Sequence, residues 1–343
     1  MPPDYAVLVD AGSTPAWWND ARLHVVSGKG GTGKTTVAAA LAIALAAGGR
    51  RTLLVEVEDR QGIAQLFGIP PLPYGERPIA AAPGGGVVDG LAVEPEAALV
   101  DYLDMFYGLK RAGGMLRRIG AIDFATAVAP GLRDVLLTGK VKEATTRVKN
   151  GKRVYDAVVL DAPPTGRIGR FLNVTGEVAQ LTRVGPIKKQ SDGVMALLRS
   201  STTAIHLVTL LEEMPVQETV DATHDLAESG LEVSSVIINM ATEPQMSAGE
   251  LDEIVAGSDP TERIASGLRE AGANPAYADS LSAELQEYAE RFIQEQQARA
   301  DLPGLGIPLT ELPRLHGQMT KDGLYDLADL LREQAGVEVI AGD

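Results

Sequence analysis

The chain's 343 residues are too many for one minimal domain and about right for one large α/β domain with an insertion. Apolar residues make up 45%, enough for a substantial core, and a net charge of −15 sets the surface against nucleic acid or anionic lipid as principal partner. Cysteine is absent, which excludes disulfides, thiolate zinc sites, iron–sulfur ligation and a cysteine nucleophile.

Residues 1–20 are spotted with Pro, Gly and Asp and read as a loose tail, its end pinned to the fold by Trp17-Trp18. No signal peptide opens the chain and no apolar run reaches transmembrane length, so a cytoplasmic protein without an integral membrane segment is expected. Histidines 24, 206, 224 and 316 lack metal-ligand spacing and read as structural or solvated. A strand at 22–27 carries Leu23, Val25 and Val26, the continuous apolar run of a parallel sheet. It leads into "GKGGTGKT" (28–35) and a helix with Val37, Leu41, Ala44 and Leu45 on one stripe. Further strands are expected at 51–58, 87–94, 154–162, 204–211, 233–240 and 305–312. Helical segments such as 215–229 and 320–335 separate most of them. This alternation predicts an α/β fold built on a doubly wound, mostly parallel sheet, one phosphate-loop domain spanning 21–343.

Two stretches exceed what crossovers require. Residues 95–150 hold Leu99, Tyr102, Leu103, Phe106 and Leu109 at helical spacing, and 174–201 add further helix. Together they read as a helical subdomain on the sheet. Its apolar stripe and Met105, Met115 and Met195 suit an adaptable groove for a client. A third helical block, 246–301, ends in a long polar helix, and "LKRAGGMLRRIG" (109–120) is the clear basic patch in an acidic chain.

The segment 28–35 fits G-x-x-x-x-G-K-[ST] between a strand and a helix, the context that gives the pattern its meaning. Backbone N–H groups from Gly30, Gly31, Thr32, Gly33, Lys34 and Thr35, with Gly28 and Thr36 beside them, should wrap phosphates at the helix N-terminus. Lys34 is placed to reach β- and γ-phosphates and the Thr35 hydroxyl to ligate Mg²⁺. Asp161, closing the apolar run "VVLD", is the second metal element, a carboxylate that holds Mg²⁺ usually through water. ATP and Mg²⁺ are the expected cofactors.

Lys29 is the unusual residue. A lysine at the second loop position resembles the deviant Walker A branch, in which two subunits face each other across two nucleotides. The resemblance implies that Lys29 crosses to the partner's phosphates and acts like an arginine finger supplied in trans. Beyond the loop, "DAPPTGRIGRFL" (161–172) resembles the "D-T-A-P-T-G-H-x-x-R-x-L" switch of the ArsA ATPases, the family of the arsenite-pump ATPase and the tail-anchored-protein targeting ATPase of the Get pathway. "APGLRDVL" (129–136), "LLEEMPVQET" (210–219), "VIINM" (236–240) and "IPLTELPRLHG" (307–317) resemble further family segments in the same order. The cysteine-free composition looks most like an actinobacterial branch whose members often occur as neighbouring paralogues. The resemblance implies that Asn239 contacts adenine and that Pro308 and its neighbours flank the base.

Departures from the family pattern carry information too. Where the family has "D-P-A-H", with the Asp positioning the attacking water, this chain has Glu58 followed by Asp59. The longer carboxylate is expected to activate water at a slower rate, with Gln61 or Asp59 as further candidates. The family's cysteine sites for metalloid and for zinc cannot form here. The arsenite pump joins two ATPase halves in one chain; this chain is one half, so it needs a second ATPase subunit, a copy of itself or a paralogue. Three readings follow: an ATP-driven dimeric switch that binds a client or partner protein, a positioning ATPase of the partition or division-site type, and an anion-efflux ATPase without cysteine metalloid sites. The first is favoured, because the positioning ATPases have shorter inserts and end in basic or amphipathic segments.

Overall fold

The computed structural model describes residues 14–58, 60–107, 130–173, 185–243, 245–315, 317 and 319–337. Helix α1 (Ala16–Asp20) carries the tryptophan pair onto β1 (Leu23–Gly28), whose six residues are all buried. The next helix, α2 (Lys34–Ala46), is buried at every position from Val37 to Ala46. A one-sided stripe was expected. Its many alanines instead let it sit between the sheet and the last helix of the chain, so it reads as an enclosed helix.

The chain continues through β2 (Arg51–Glu56), α3 (Gly62–Phe67), β3 (Arg77–Ala82), β4 (Gly86–Ala92), α4 (Pro95–Tyr107) and α5 (Pro130–Thr146). A small hairpin, β5 (Val148–Lys149) and β6 (Lys152–Arg153), leads to β7 (Ala157–Asp161), α6 (Thr165–Leu172) and α7 (Pro186–Leu198). Then come β8 (Thr203–Thr209), α8 (Glu213–Glu228) and β9 (Val233–Ala241). Three helices, α9 (Ala248–Val255), α10 (Thr261–Glu270) and α11 (Ala278–Arg299), precede β10 (Leu309–Pro313) and α12 (Lys321–Gln334).

Eight strands form the main sheet in the order β10-β9-β8-β1-β7-β2-β4-β3. Neighbours run parallel except β3 and β4. This is the expected doubly wound, mostly parallel sheet. Strand β3 was not anticipated: Pro78 and its alanines give it no strand signature, and it survives because it lies at the edge. Strand β10 starts four residues later than the apolar run 305–312 implied. After a 3₁₀ turn at Pro303–Leu305, Gly306 takes φ +64°, which breaks the extended chain before Leu309.

Two cores lie on the two faces of the sheet. Helices α2 and α12 cover one face with Leu41, Leu45, Leu327 and Leu331. Helices from the segments 95–107, 130–146, 186–198 and 213–228 cover the other. There Leu99, Tyr102 and Met195 are buried among Leu23, Val135, Leu136 and Leu160. The described part of the expected groove stripe is therefore interior packing. The side chains of Leu103, Met105 and Phe106, residues 108–129 with Leu109, Met115 and the basic patch, and residues 174–184 lie outside the described residues. Leu251, Ile254, Ala289 and Phe292 form a separate small core joining α9 to α11.

Two of the histidines are core residues that sequence spacing did not connect. His24 on β1 and His206 on β8 are fully buried and stack with ring centroids 5.4 Å apart. Their Nδ1 and Nε2 atoms lie 3.1 Å apart, and Ser235 Oγ sits 2.7 Å from His206 Nδ1. Trp17 packs edge-on against His206 at 4.7 Å, so the expected pinning of the tail's end is through this pair. Burial holds the His206 imidazole down to about 3, and His24 is also well below the ordinary range. His224 is exposed, and His316 lies outside the described residues.

Candidate nucleotide and metal site

The strand order places β1 between β8 and β7, so their C-terminal ends converge on the loop 28–35. Gly28 ends β1 with no room for a side chain, because a Cβ there would strike the Val208 carbonyl of β8. Thr32 is buried and closes the loop by donating its hydroxyl to the Lys29 carbonyl at 2.9 Å. Gly33 takes φ +83° and starts α2 without a side-chain cap, so the first-turn N–H groups at Lys34, Thr35 and Thr36 remain as donors for an anion. Gly30 and Gly31 are exposed at the mouth of the loop.

Below the loop, Thr35 Oγ1 donates to Asp161 Oδ2 at 2.6 Å. Asp161 is buried at the end of β7, and its Oδ1 has no hydrogen-bond partner among the described residues. Burial pushes this acid up to about 6, with Glu56 and Glu58 adding to the rise. The Thr35 bond and the Lys34 ammonium pull it back. Lys34 is itself lowered by burial and held up by Asp161 and Glu58. A buried acid near neutrality, with one orphaned oxygen beside a threonine hydroxyl, gains from a divalent cation. A hydroxyl and a carboxylate also suit Mg²⁺, which keeps few protein ligands when phosphate and water supply the rest. Among the described residues no cluster of three or more His, Asp or Glu able to hold a metal stands together. The residues fit a magnesium nucleotide.

Glu58 is largely covered, with Arg167 Nη1 at 3.6 Å and Arg60 Nη2 at 3.9 Å. It lies within electrostatic reach of Lys34 and Asp161. Gln61, the alternative for orienting water, is committed elsewhere. Its side-chain amide exchanges two hydrogen bonds with the Leu72 backbone, at 2.7 and 3.2 Å. Asp59 lies outside the described residues. Sequence reasoning missed Glu56. This buried carboxylate at the end of β2 is in register with Asp161 and accepts the N–H groups of Gly62 and Ile63, at 3.0 and 3.3 Å. It thereby closes the loop that carries Glu58. The signal was present as the alternating acids of "VEVE", but spacing alone could not tell a capping acid from one facing the loop.

Asn239 donates its side-chain amide to the Thr32 carbonyl at 2.9 Å and occupies the space beside Gly33 that a Cβ would need. In this structure it braces the phosphate loop. Pro308 precedes β10, and its carbonyl accepts from Val236 N–H at 2.9 Å, on the strand that carries Asn239. The proline at the loop's end of the sheet is Pro313, which is in register with Ala241.

Lys29 is brought to its own chain's α8. Its ammonium lies 3.0 Å from Glu218 Oε1, while Glu218 Oε2 accepts the Thr165 hydroxyl at 3.0 Å. Glu218 stands in the segment 210–219, which was noticed without a role for this residue. Ser27 Oγ further ties β1 to the stretch after Asp161, donating to the Pro163 carbonyl at 2.7 Å.

Comparison with known proteins bears on the family. The family model described as "Anion-transporting ATPase" matches residues 21–200. The chain is 50% identical to ATPase BagA of Mycobacterium tuberculosis over 335 residues, covering 96% of this chain and 98% of the relative. It is 25% identical to the arsenical pump-driving ATPase of Acidiphilium multivorum over 92% of this chain and 55% of that protein. It is 27% identical to ATPase GET3 of Kluyveromyces lactis over 66% of this chain and 73% of the relative. With the loop, the Thr35–Asp161 contact and a match over most of its length, this chain belongs to the ArsA family of anion-transporting ATPases.

Proposed function

We propose that the protein is a magnesium-dependent ATPase that works as one half of a dimer, a switch whose nucleotide state sets its hold on a client or partner protein. The observation that carries the nucleotide half of this reading is the Thr35–Asp161 contact beneath an uncapped helix start, with Lys34 alongside. Lys34 binds the β- and γ-phosphates, Thr35 and Asp161 hold Mg²⁺, and Asn239 keeps the loop in shape while its strand end borders the base. The bound metal supplies charge neutralisation on the phosphates. Glu58 aligns the attacking water, steadied by the Glu56 clasp beneath it.

The dimer reading rests on Lys29. Lys34 already serves the chain's own phosphates, and Lys29 stands at the rim, about a quarter exposed, on the side of Glu218. Across a two-fold interface that side chain meets the γ-phosphate of the neighbouring site, where charge is poorly screened. The second subunit is a copy or a paralogue. Residues 21–343 act as one ATPase unit, and the helices of 95–150 and 174–201 are the part that answers to a client, through surfaces other than the buried Leu99, Tyr102 and Met195. The protein works in the cytoplasm; among the described residues no helix is long and apolar enough to cross a membrane.

A mixed-subunit assay tests this. Lys29→Ala protein binds ATP without completing the neighbouring site; Lys34→Ala protein completes the neighbouring site without binding ATP. Their mixture should regain hydrolysis that neither shows alone. Proven mixed dimers without recovery would refute action in trans, and unchanged ATP affinity in Lys34→Ala would refute the phosphate loop itself.

A further inference from the structure

We infer that Glu218 is the positioning residue of Lys29, keeping the ammonium on its own subunit until a nucleotide across the interface draws it away. This rests on the reading of Lys29 as acting in trans. The geometry that motivates it is one carboxylate with two partners. Oε1 holds Lys29 at 3.0 Å and Oε2 holds Thr165 at 3.0 Å, so Glu218 joins the tip of the phosphate loop to the first residue of α6. Thr165 lies four residues after Asp161, so the same carboxylate also touches the segment leaving the metal acid.

Exposure decides whether this contact is a lock or a bias. The Lys29 and Glu218 side chains are 28% and 35% exposed, so water and salt screen the bridge and it is weak. A triphosphate offers more negative charge in a drier place once the interface closes, and it takes the ammonium. Releasing Lys29 leaves no stranded charge, because Glu218 keeps the Thr165 hydroxyl and is open enough to hydrate. Glu218 thus sets how much nucleotide-driven closure is needed before Lys29 changes sides, while it keeps its hold on the start of α6.

Glu218→Gln tests this in the full-length protein with its natural second subunit. The amide keeps an acceptor for Thr165 and drops the charge that holds Lys29. It should raise single-turnover hydrolysis, and lower the ATP concentration needed for subunit association, by about two- to fivefold, the range set by a screened ion pair. In a Lys29→Ala background, where hydrolysis is already lost, the same substitution should leave the ATP concentration needed for subunit association unchanged, a dependence that a merely structural role of Glu218 would not show. Should the Gln variant fail to fold, Glu218→Asp, one methylene too short to hold both partners, takes its place with the same expectation. Unchanged or slower turnover, or an equal gain without Lys29, overturns the inference. If Lys29→Ala alone alters neither turnover nor association, it is the trans reading that fails instead.

Discussion

The buried histidine pair makes a prediction about acid stability whose size follows from the structure. His206 is fully buried, and its folded-state value sits near 3 against an ordinary 6.5. Above 6.5 the imidazole is neutral in both states and its packing counts in full. As pH falls below 6.5 the unfolded chain takes up the proton and the folded chain does not, so stability is lost until pH approaches 3. At pH 5, roughly 1.5 units into that window at about 1.36 kcal/mol per unit, the loss is about 2 kcal/mol. This figure needs only a folded value well under 5. His24, lowered by burial and by its neighbour, acts in the same sense. Asp161 acts oppositely: burial raises it to about 6, so its cost is relieved as pH falls through 6. A bare pH curve therefore mixes signs, and a difference between variants is needed. His206→Gln keeps a polar link to His24 and Ser235 but cannot titrate. It should be less stable than the parent at pH 8 by about 1 kcal/mol, for a poorer hydrogen bond and fit. By pH 5 that gap should have moved by about 2 kcal/mol in favour of the variant. Urea midpoints followed by tryptophan fluorescence, with Trp17 against the pair and Trp18 beside it, measure it. A gap that stays constant between pH 8 and 5 would refute the neutral, buried pair.

Three further outcomes address the nucleotide site. Glu58→Gln should leave equilibrium ATP binding within about twofold yet slow single-turnover hydrolysis by about 100-fold or more, the range for losing a positioned base. Gln61→Ala, which only frees the Leu72 backbone, should lower thermal stability and spare the chemical step. Gly33→Ala places a side chain at φ +83° against the Asn239 amide. At about 1–2 kcal/mol for left-handed strain, plus loss of the Thr32 brace, labelled-ATP affinity should fall about tenfold or more. An unchanged affinity would show that the loop adjusts without cost.

What the sequence revealed follows distance along the chain. The phosphate loop is eight contiguous residues whose chemistry is local, and buried parallel strands announce themselves as unbroken apolar runs, so both were legible. Edge strand β3 lacks that run, and β10 was displaced because Gly306 and Pro308 look like strand sequence until the backbone turn between them is known. Residues whose roles come from pairing across the fold were recognisable as types but not as partners. His24 meets His206 across 182 positions, Thr32 meets Asn239 across 207, and Lys29 meets Glu218 on another element.

Glu56 and Glu58 show the limit most sharply. They alternate along one strand direction and both are acidic, so the sequence alone does not separate their roles. The chain returns at Gly62 and Ile63, and those two N–H groups claim Glu56 as the base of the loop. That leaves Glu58 beyond the strand end, between Arg60 and Arg167 and within reach of Lys34. Because Arg167 belongs to the helix that Thr165 begins, and Thr165 is held by Glu218, the acid assigned to water and the lysine assigned to the partner site both bear on α6. A shift of that one helix would change the surroundings of both at once, which is the coupling a nucleotide switch requires.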